Sequence, residues 1–336
     1  SRNTPYSLIF NPLRDAISRR RMLCSLLPVK YWSAAPKDSP ATTRRSTWMP
    51  SSVRTADFVG VGLIGGSLGL AFKAAGGVDV TGADCDRAVL DAAVARGAID
   101  RGTTDPAAAA GAAEVVFLCA PVLRLPGLAA RIAPHLQEGA IVTDVGSTKK
   151  LVGEKIARLL PANVHYVGGH PMAGREKSGV AAADAALFRD KWYIFTPTAA
   201  TSPAAVDKVA ALVRRTGARV TVMEAARHDD CAAVISHVPH VVAAGLVNLL
   251  GNHPDEDGLL SLAGGGFCDT TRIASSNADM WADICLTNAE AITGGLEGLQ
   301  ALLADVAAAI RRGDRAAVRA FFAKAKARRD GIISSL

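Results

Sequence analysis

From residue 57 onward the chain alternates two hydrophobic periods. Short runs rich in β-branched and aromatic residues read as strands: "DFVGVG", "VDVTGAD", "AEVVFLCAP", "GAIVTDVGS", "NVHYVGGH", "KWYIFTP" and "ARVTVM". Between them "SLGLAFKAAG", "RAVLDAAVARG", "LRLPGLAARIAPHL" and "TKKLVGEKIARLL" carry the wider spacing of helices, the third despite Pro126. Strand alternating with helix through short loops predicts an α/β fold with a mainly parallel, doubly wound sheet. After Met223 the strand signals stop. "EAARHDDCAAVISHVPHVVAAGLVNLLG" is one long apolar helical pattern, and the text from "GLQALLADV" onward is helical to the end. The pattern divides the chain into a tail over 1–56, an α/β domain over 57–223 and an all-helical domain over 224–336, with no internal repeat.

The stretch Ala232–Leu250 is apolar enough to raise the question of a membrane span, but two histidines and a proline interrupt it. A helix apolar all round is more often buried within a protein, here also against a partner subunit. Pro239 should kink it.

Charge changes the picture of the N-terminus only. The chain carries +7, yet residues 1–56 hold ten Lys/Arg against two Asp/Glu, so the remainder is close to neutral. The basic balance therefore does not announce a nucleic-acid-binding body. An aromatic content of 5 % also argues against a stacking surface for single strands. The tail is Arg- and Ser-rich and poor in acids, a composition like that of an organelle transit peptide. Met49 opens "MPSSVRTADFVGVG" just ahead of the first strand and is the expected start, which makes a cytoplasmic protein the expectation and plastid targeting the alternative. Six scattered cysteines without a CxxC pair fit reduced thiols rather than a disulfide framework or a metal site.

"GVGLIGGSLG" sets Gly60, Gly62 and Gly65 at GxGxxG spacing between a strand and a helix. The first glycine permits a tight turn, the second lets backbone approach a pyrophosphate, and the third lets helix and strand close up. The turn from Gly60 through Gly62, Leu63 and Ile64 to Gly65 then offers free N–H groups and a positive dipole end to phosphates. Asp84 follows at the end of the second strand, where an acid would bond the ribose 2′-OH of NAD and disfavour a 2′-phosphate. Arg87 nearby is the one group that could meet such a phosphate. Asp57 is an oddity, a charge in what should be a buried central strand.

Ligands of such sheets bind beyond the carboxyl ends of strands. Two features lie there. Ser147 follows a strand at a helix start, where an N-cap role is the bland alternative. His170 sits in "GGHPMAG", where glycines allow close approach and Pro171 restricts it to extended conformations. In the helical part, Asp229, Ser236 and His240 fall at i, i+7 and i+11, a shared face with His237 alongside. A polar stripe in an apolar helix needs partners or a ligand. "AGGGFCDTTRIASS" then makes Asp269 a plausible N-cap with Arg272 in the first turn, where the dipole opposes it unless a carboxylate is bound.

Taken together, "GVGLIGGSLGLAFK", "DVGSTKK", "GGHPMAGREKSG", "ISHVPH" and "GGGFCDTTRIASSNADMW" resemble the prephenate/arogenate dehydrogenase family of tyrosine biosynthesis in its bacterial form. The resemblance implies a Rossmann-type domain joined to a helical dimerisation domain, with NAD as cofactor, a homodimer as assembly, and no nucleic acid, membrane or metal involved. It implies His170 as the catalytic histidine with Ser147 its companion, Arg272 on a substrate carboxylate, and His240 and Asp269 lining the pocket. It also implies Glu176 near the entrance and Trp281 contributed across the dimer. Arg175 stands where Ser or Thr is frequent in the family. The implied reaction is oxidative decarboxylation of prephenate, with arogenate as the alternative substrate. Another Rossmann-plus-helical dehydrogenase of the β-hydroxyacid type would use a lysine in its central helix, and 232–250 has none. A non-catalytic NAD-binding dimer would have little use for Ser147, His170 and Arg272 together.

Overall fold

The computed structural model describes residues 53–175 and 177–334; the expectations for the tail over 1–52 and for Glu176 lie outside the described residues. Eight strands form one sheet: β1 (Thr55–Val59), β2 (Asp79–Ala83), β3 (Arg101–Thr103), β4 (Val115–Leu118), β5 (Ile141–Asp144), β6 (His165–Pro171), β7 (Trp192–Pro197) and β8 (Arg219–Val222). Six helices connect them: α1 (Leu63–Ala75), α2 (Arg87–Ala95), α3 (Pro106–Ala110), α4 (Leu125–Ile132), α5 (Lys150–Leu159) and α6 (Pro203–Arg214). Seven more follow among the described residues: α7 (Ala225–Ala232), α8 (Val238–Gly251), α9 (Glu256–Ser261), α10 (Gly265–Thr271), α11 (Ala278–Thr287), α12 (Ala289–Arg311) and α13 (Arg315–Ile333). The first strand thus opens at Thr55, and Val53 is already buried, so the sheet takes in residues that the sequence pattern left to the tail.

Strand order is β3-β2-β1-β4-β5-β6-β7-β8, parallel except between β6 and β7. The order reverses between β1 and β4, which opens the crevice where open α/β sheets take their ligands. Both faces are covered, and alternate residues serve each. Phe58 and Phe117 pack with Phe72 of α1 at centroid distances of 5.3–6.0 Å on one face. Val59, Val116 and Leu118 meet Leu125, Ile132 and Ile156 on the other. This two-sided burial is why β4 reads as an unbroken apolar run rather than an alternating one.

Asp57 lies in β1 at 3 % exposure and accepts the Thr81 N–H at 3.0 Å. Burial pushes its carboxyl up to about 6, against the lowering effect of Thr81 and of Arg101. A folded-state value above the unfolded 3.8 means that the native protein binds this proton more tightly. Its stabilising contribution is full below pH 3.8 and is lost as pH rises through 6. Asp57→Asn keeps an acceptor for Thr81 and removes the buried charge. The variant should gain roughly 1–3 kcal/mol over the wild type at pH 8 and nothing at pH 4. Urea unfolding at both pH values checks it; a gain equal at both would mean that the charge is not the cause.

The helical half departs from expectation in two ways. The kink assigned to Pro239 is taken up one turn earlier, as a π turn over Ala233–His237, with Pro239 left in the first turn of α8. Proline has no N–H for the carbonyl four residues back and its ring collides with that carbonyl, so the helix widens before it. The extra residue rotates the rest of the helix, and Asp229 no longer shares a face with His240. Second, the 225–251 run is long and apolar enough to cross a membrane, yet Ala243 is the one buried residue of α8. The helix is not buried within its own chain. Its helical surroundings bury only a small core of Ala233, Ile284 and Ile292, with Trp281 and Val241 packed on it.

Candidate active site

The glycine turn has the geometry its spacing predicts. Gly60 adopts φ +103°, and a Cβ there would lie 2.3 Å from the Cys119 carbonyl oxygen at the tip of β4. A Cβ on Gly65 would meet the Gly60 carbonyl at 2.2 Å, whereas one on Gly62 would find open space. Gly62 begins α1 without any side-chain cap, so the first N–H groups of that helix, at Leu63 and Ile64, are left for a ligand. Asp84 stands at the tip of β2, half-buried, and accepts the Val61 N–H at 3.0 Å and the Asp86 N–H at 3.1 Å. It is therefore tied to the glycine turn itself. Arg87 pairs instead with Asp91 on the surface of α2, at 3.3 Å. An uncapped helix start, an open glycine and an adjacent carboxylate fit a dinucleotide, whose phosphates Gly62–Gly65 would hold and whose ribose Asp84 would meet.

Beyond the sheet, a cleft of about 440 Å³ is lined by Ser147, His170, Arg175, Ser236, His240 and Arg272, with Met280 and Trp281 among its apolar walls. Five of the seven residues expected here outside the glycine turn thus converge: His170, Ser147, Arg272, His240 and Trp281. His170 lies within β6, paired opposite Ile194 of the antiparallel β7, and so is held by the sheet rather than by a loop. Its Nδ1 is 2.8 Å from Nε2 of His228, whose Nδ1 is 2.9 Å from Oδ1 of Asp229. Asp229 in turn accepts the N–H groups of Lys149 at 2.8 Å and Lys150 at 2.9 Å, capping the start of α5. Burial above all, and then the neighbouring His228, Lys149 and His237, hold the His170 imidazole well below its usual 6.5.

Underneath lies a second network. Lys149 is fully buried, ion-paired with the equally buried Asp144 and bonded to the Gly169 carbonyl at 2.7 Å. Burial lowers its ammonium, and Asp144 offsets part of that. The lysine thereby pins the peptide just ahead of His170 to the end of β5. Asn288 donates to the Asp229 carbonyl at 2.8 Å and sits 3.2 Å from Nδ1 of His237, whose imidazole burial pushes down to about 4. His240 donates from Nδ1 to the Ser236 carbonyl at 2.9 Å and stacks on Trp281 at 3.8 Å.

Several expectations need correction. Ser147 is in the β5–α5 loop; α5 starts at Lys150, and the cap comes from Asp229. Asp269 is neither an N-cap nor a wall of the cleft: the glycines start α10 at Gly265 with Gly264 as its cap, which leaves Asp269 exposed inside the helix. Arg272 consequently sits at the C-terminal end of α10, where the dipole favours its charge instead of opposing it. Trp281 lines the cleft of its own chain, where it stacks on His240. Arg175 lines the cleft and pairs with Asp184 at 2.5 Å, so its charge has a partner at the wall. Sequence reasoning missed His228 and misplaced Asp229. The one signal for them is an adjacent His-Asp pair opening a long apolar helix.

Comparison with known proteins agrees with this geometry. The family model described as "Prephenate dehydrogenase, nucleotide-binding domain" matches residues 68–222, and "Prephenate dehydrogenase, dimerization domain" matches 224–324. A prephenate dehydrogenase of Bacillus subtilis is 36 % identical over 276 residues, covering 81 % of this chain and 74 % of its own. A cyclohexadienyl dehydrogenase of Zymomonas mobilis is 34 % identical over 259 residues, 76 % of this chain and 88 % of its own. The crystal structure of prephenate dehydrogenase from A. aeolicus in complex with hydroxyphenyl propionate and NAD+ superposes with a TM-score of 0.78 at 34 % identity, covering 84 % of this chain and 99 % of that one. With both halves matched in order and the cleft formed between them, this chain belongs to the prephenate dehydrogenase family.

Proposed function

We propose that this enzyme converts prephenate to 4-hydroxyphenylpyruvate by oxidative decarboxylation with NAD+. The observation that carries the reading is the convergence, on one cleft, of a histidine held neutral and an arginine. Bound NAD+ supplies the acceptor for the hydride that leaves the ring carbon bearing the hydroxyl. His170 takes the hydroxyl proton as that carbon becomes a carbonyl, and its depressed basicity keeps the imidazole uncharged at neutral pH. Ser147, which also lines the cleft, hydrogen-bonds the hydroxyl oxygen and orients it. Arg272 binds a substrate carboxylate with paired hydrogen bonds. Aromatisation as the ring carboxylate departs drives the step. His240 and Trp281, stacked on each other, also line the cleft. The protein works as a cytoplasmic homodimer, the exposed face of α8 lying against a second copy.

Incubation with NAD+ and prephenate should raise absorbance near ~340 nm as reduced nicotinamide accumulates; arogenate run in parallel gives the preference, and silence with both would sink the reading. Asp84 sets the choice of cofactor. Asp84→Ser removes the acceptor for a 2′-OH and the repulsion against a 2′-phosphate. The NAD+ over NADP+ preference in kcat/KM should then fall by about tenfold or more, the worth of one charged hydrogen bond. An unchanged ratio would remove Asp84 from the ribose site.

A further inference from the structure

We propose that His228 and Asp229 are positioning residues that fix His170 as its Nδ1–H tautomer, leaving the Nε2 lone pair as the base presented to the cleft. Donors and acceptors set the direction of each bond in this chain of contacts. The Asp229 carboxylate receives N–H groups on both oxygens, from Lys149 on Oδ1 and Lys150 on Oδ2. It has only lone pairs to offer His228, so His228 donates from Nδ1 across 2.9 Å. A neutral His228 then has an acceptor at Nε2, and the 2.8 Å contact to His170 Nδ1 is a bond only if His170 supplies the proton. The order runs from backbone amides inward: α5 N–H groups fix Asp229, Asp229 fixes His228, and His228 fixes His170. His228 is 1 % exposed and Asp229 4 %, so water does not compete for these bonds.

The opposite arrangement is well defined. A doubly protonated His228 would donate from both nitrogens. His170 would then accept at Nδ1, carry its proton at Nε2 and offer the cleft no base. The buried Lys149 ammonium disfavours a further positive charge at His170. When His170 takes a proton at Nε2, its Nδ1–H still donates to His228, and the charge is stabilised through the chain by Asp229 without any rearrangement. Neither His228 nor Asp229 lines the cleft, so both act through His170 and not on the substrate.

The inference rests on His170 as proton acceptor, and its test separates the two. Nitrogen-15 NMR of histidine-labelled resting enzyme, without substrate, reads the tautomer directly: His170 should carry its proton on Nδ1, and a proton on Nε2 overturns the proposal even if prephenate is turned over. Two variants give the kinetic readout. His228→Gln places an amide oxygen near the Nε2 position, and it should keep kcat within about threefold, the scale of one neutral hydrogen bond. His228→Phe keeps the ring volume and abolishes the acceptor; kcat should fall by about 100-fold, within the usual range for a misaligned general base, with KM for both substrates little changed. Equal losses in the two variants, or none in His228→Phe, overturn the proposal. Should the Phe variant fail to fold, the resting tautomer and the Gln variant decide it.

Discussion

His170→Asn should lower kcat by about 10²–10⁴-fold, the usual contribution of a positioned general base. Asparagine is the informative replacement because its amide can take over the Nδ1 position and still donate to His228, 2.8 Å away in the wild type. What it cannot supply is a group at Nε2 that accepts a proton near neutrality. KM should move far less than kcat, because departure of the proton and hydride is stabilised mainly in the transition state. The pH profile gives an independent reading. Only neutral imidazole is competent, and burial together with His228, Lys149 and His237 holds His170 well below 6.5. Wild-type activity should therefore be flat through neutrality and fall only as pH drops into the acid range below that value. The limb should vanish in His170→Asn. A variant with near-normal kcat and the same limb would assign the proton to another cleft group, with His240 the first candidate.

The parts of this site that sequence can reveal are those tied to local backbone. The glycine turn is legible because each glycine answers a steric demand within a few residues: a positive φ at Gly60, a close carbonyl at Gly65, an open approach at Gly62. His170 is legible because proline after it forces extended backbone, and the structure continues β6 through both. Asp229 is not. Its periodic relation to Ser236 and His240 assumes regular helix, and the π turn before Pro239 breaks that period. Its partners, the amides of Lys149 and Lys150, lie about 80 residues away in sequence and leave no trace in composition. Nothing in "STKK" distinguishes Lys149 from its neighbour, yet it is the buried counter-ion of Asp144. Asp269 fails for a simpler reason: three glycines in a row suggest a break before a helix, while the helix starts among them. The exposure of α8 within its own chain is not legible in the sequence, because an apolar helix states that it must be covered and not by which chain.

Arg272→Ala should weaken substrate binding by about 1.5–3 kcal/mol, or ~10–150-fold in Kd, the worth of hydrogen bonds to a charged group. The lower part of the usual range for severed charge pairs is appropriate because Arg272 is exposed at the cleft wall and water can partly replace it. Its position at the C-terminal end of α10 makes the substitution costly in a second, smaller way, since the helix loses a favourable charge there, worth roughly 0.3–1 kcal/mol of stability. The two costs are separable. Thermal unfolding without ligands reports the second, and NAD+ affinity should barely change, because no residue of the glycine turn or Asp84 is among those lining the cleft with Arg272. Arg272→Lys sharpens the reading. It keeps the charge and most of the length, but a compact ammonium cannot form the two parallel bonds that a guanidinium makes to a carboxylate. If recognition is bidentate, Lys should recover only a minor part of the lost affinity; if Arg272 supplies charge alone, Lys should restore nearly all of it. Equal losses for substrate and NAD+ in Arg272→Ala would instead mark a folding defect and remove Arg272 from substrate recognition.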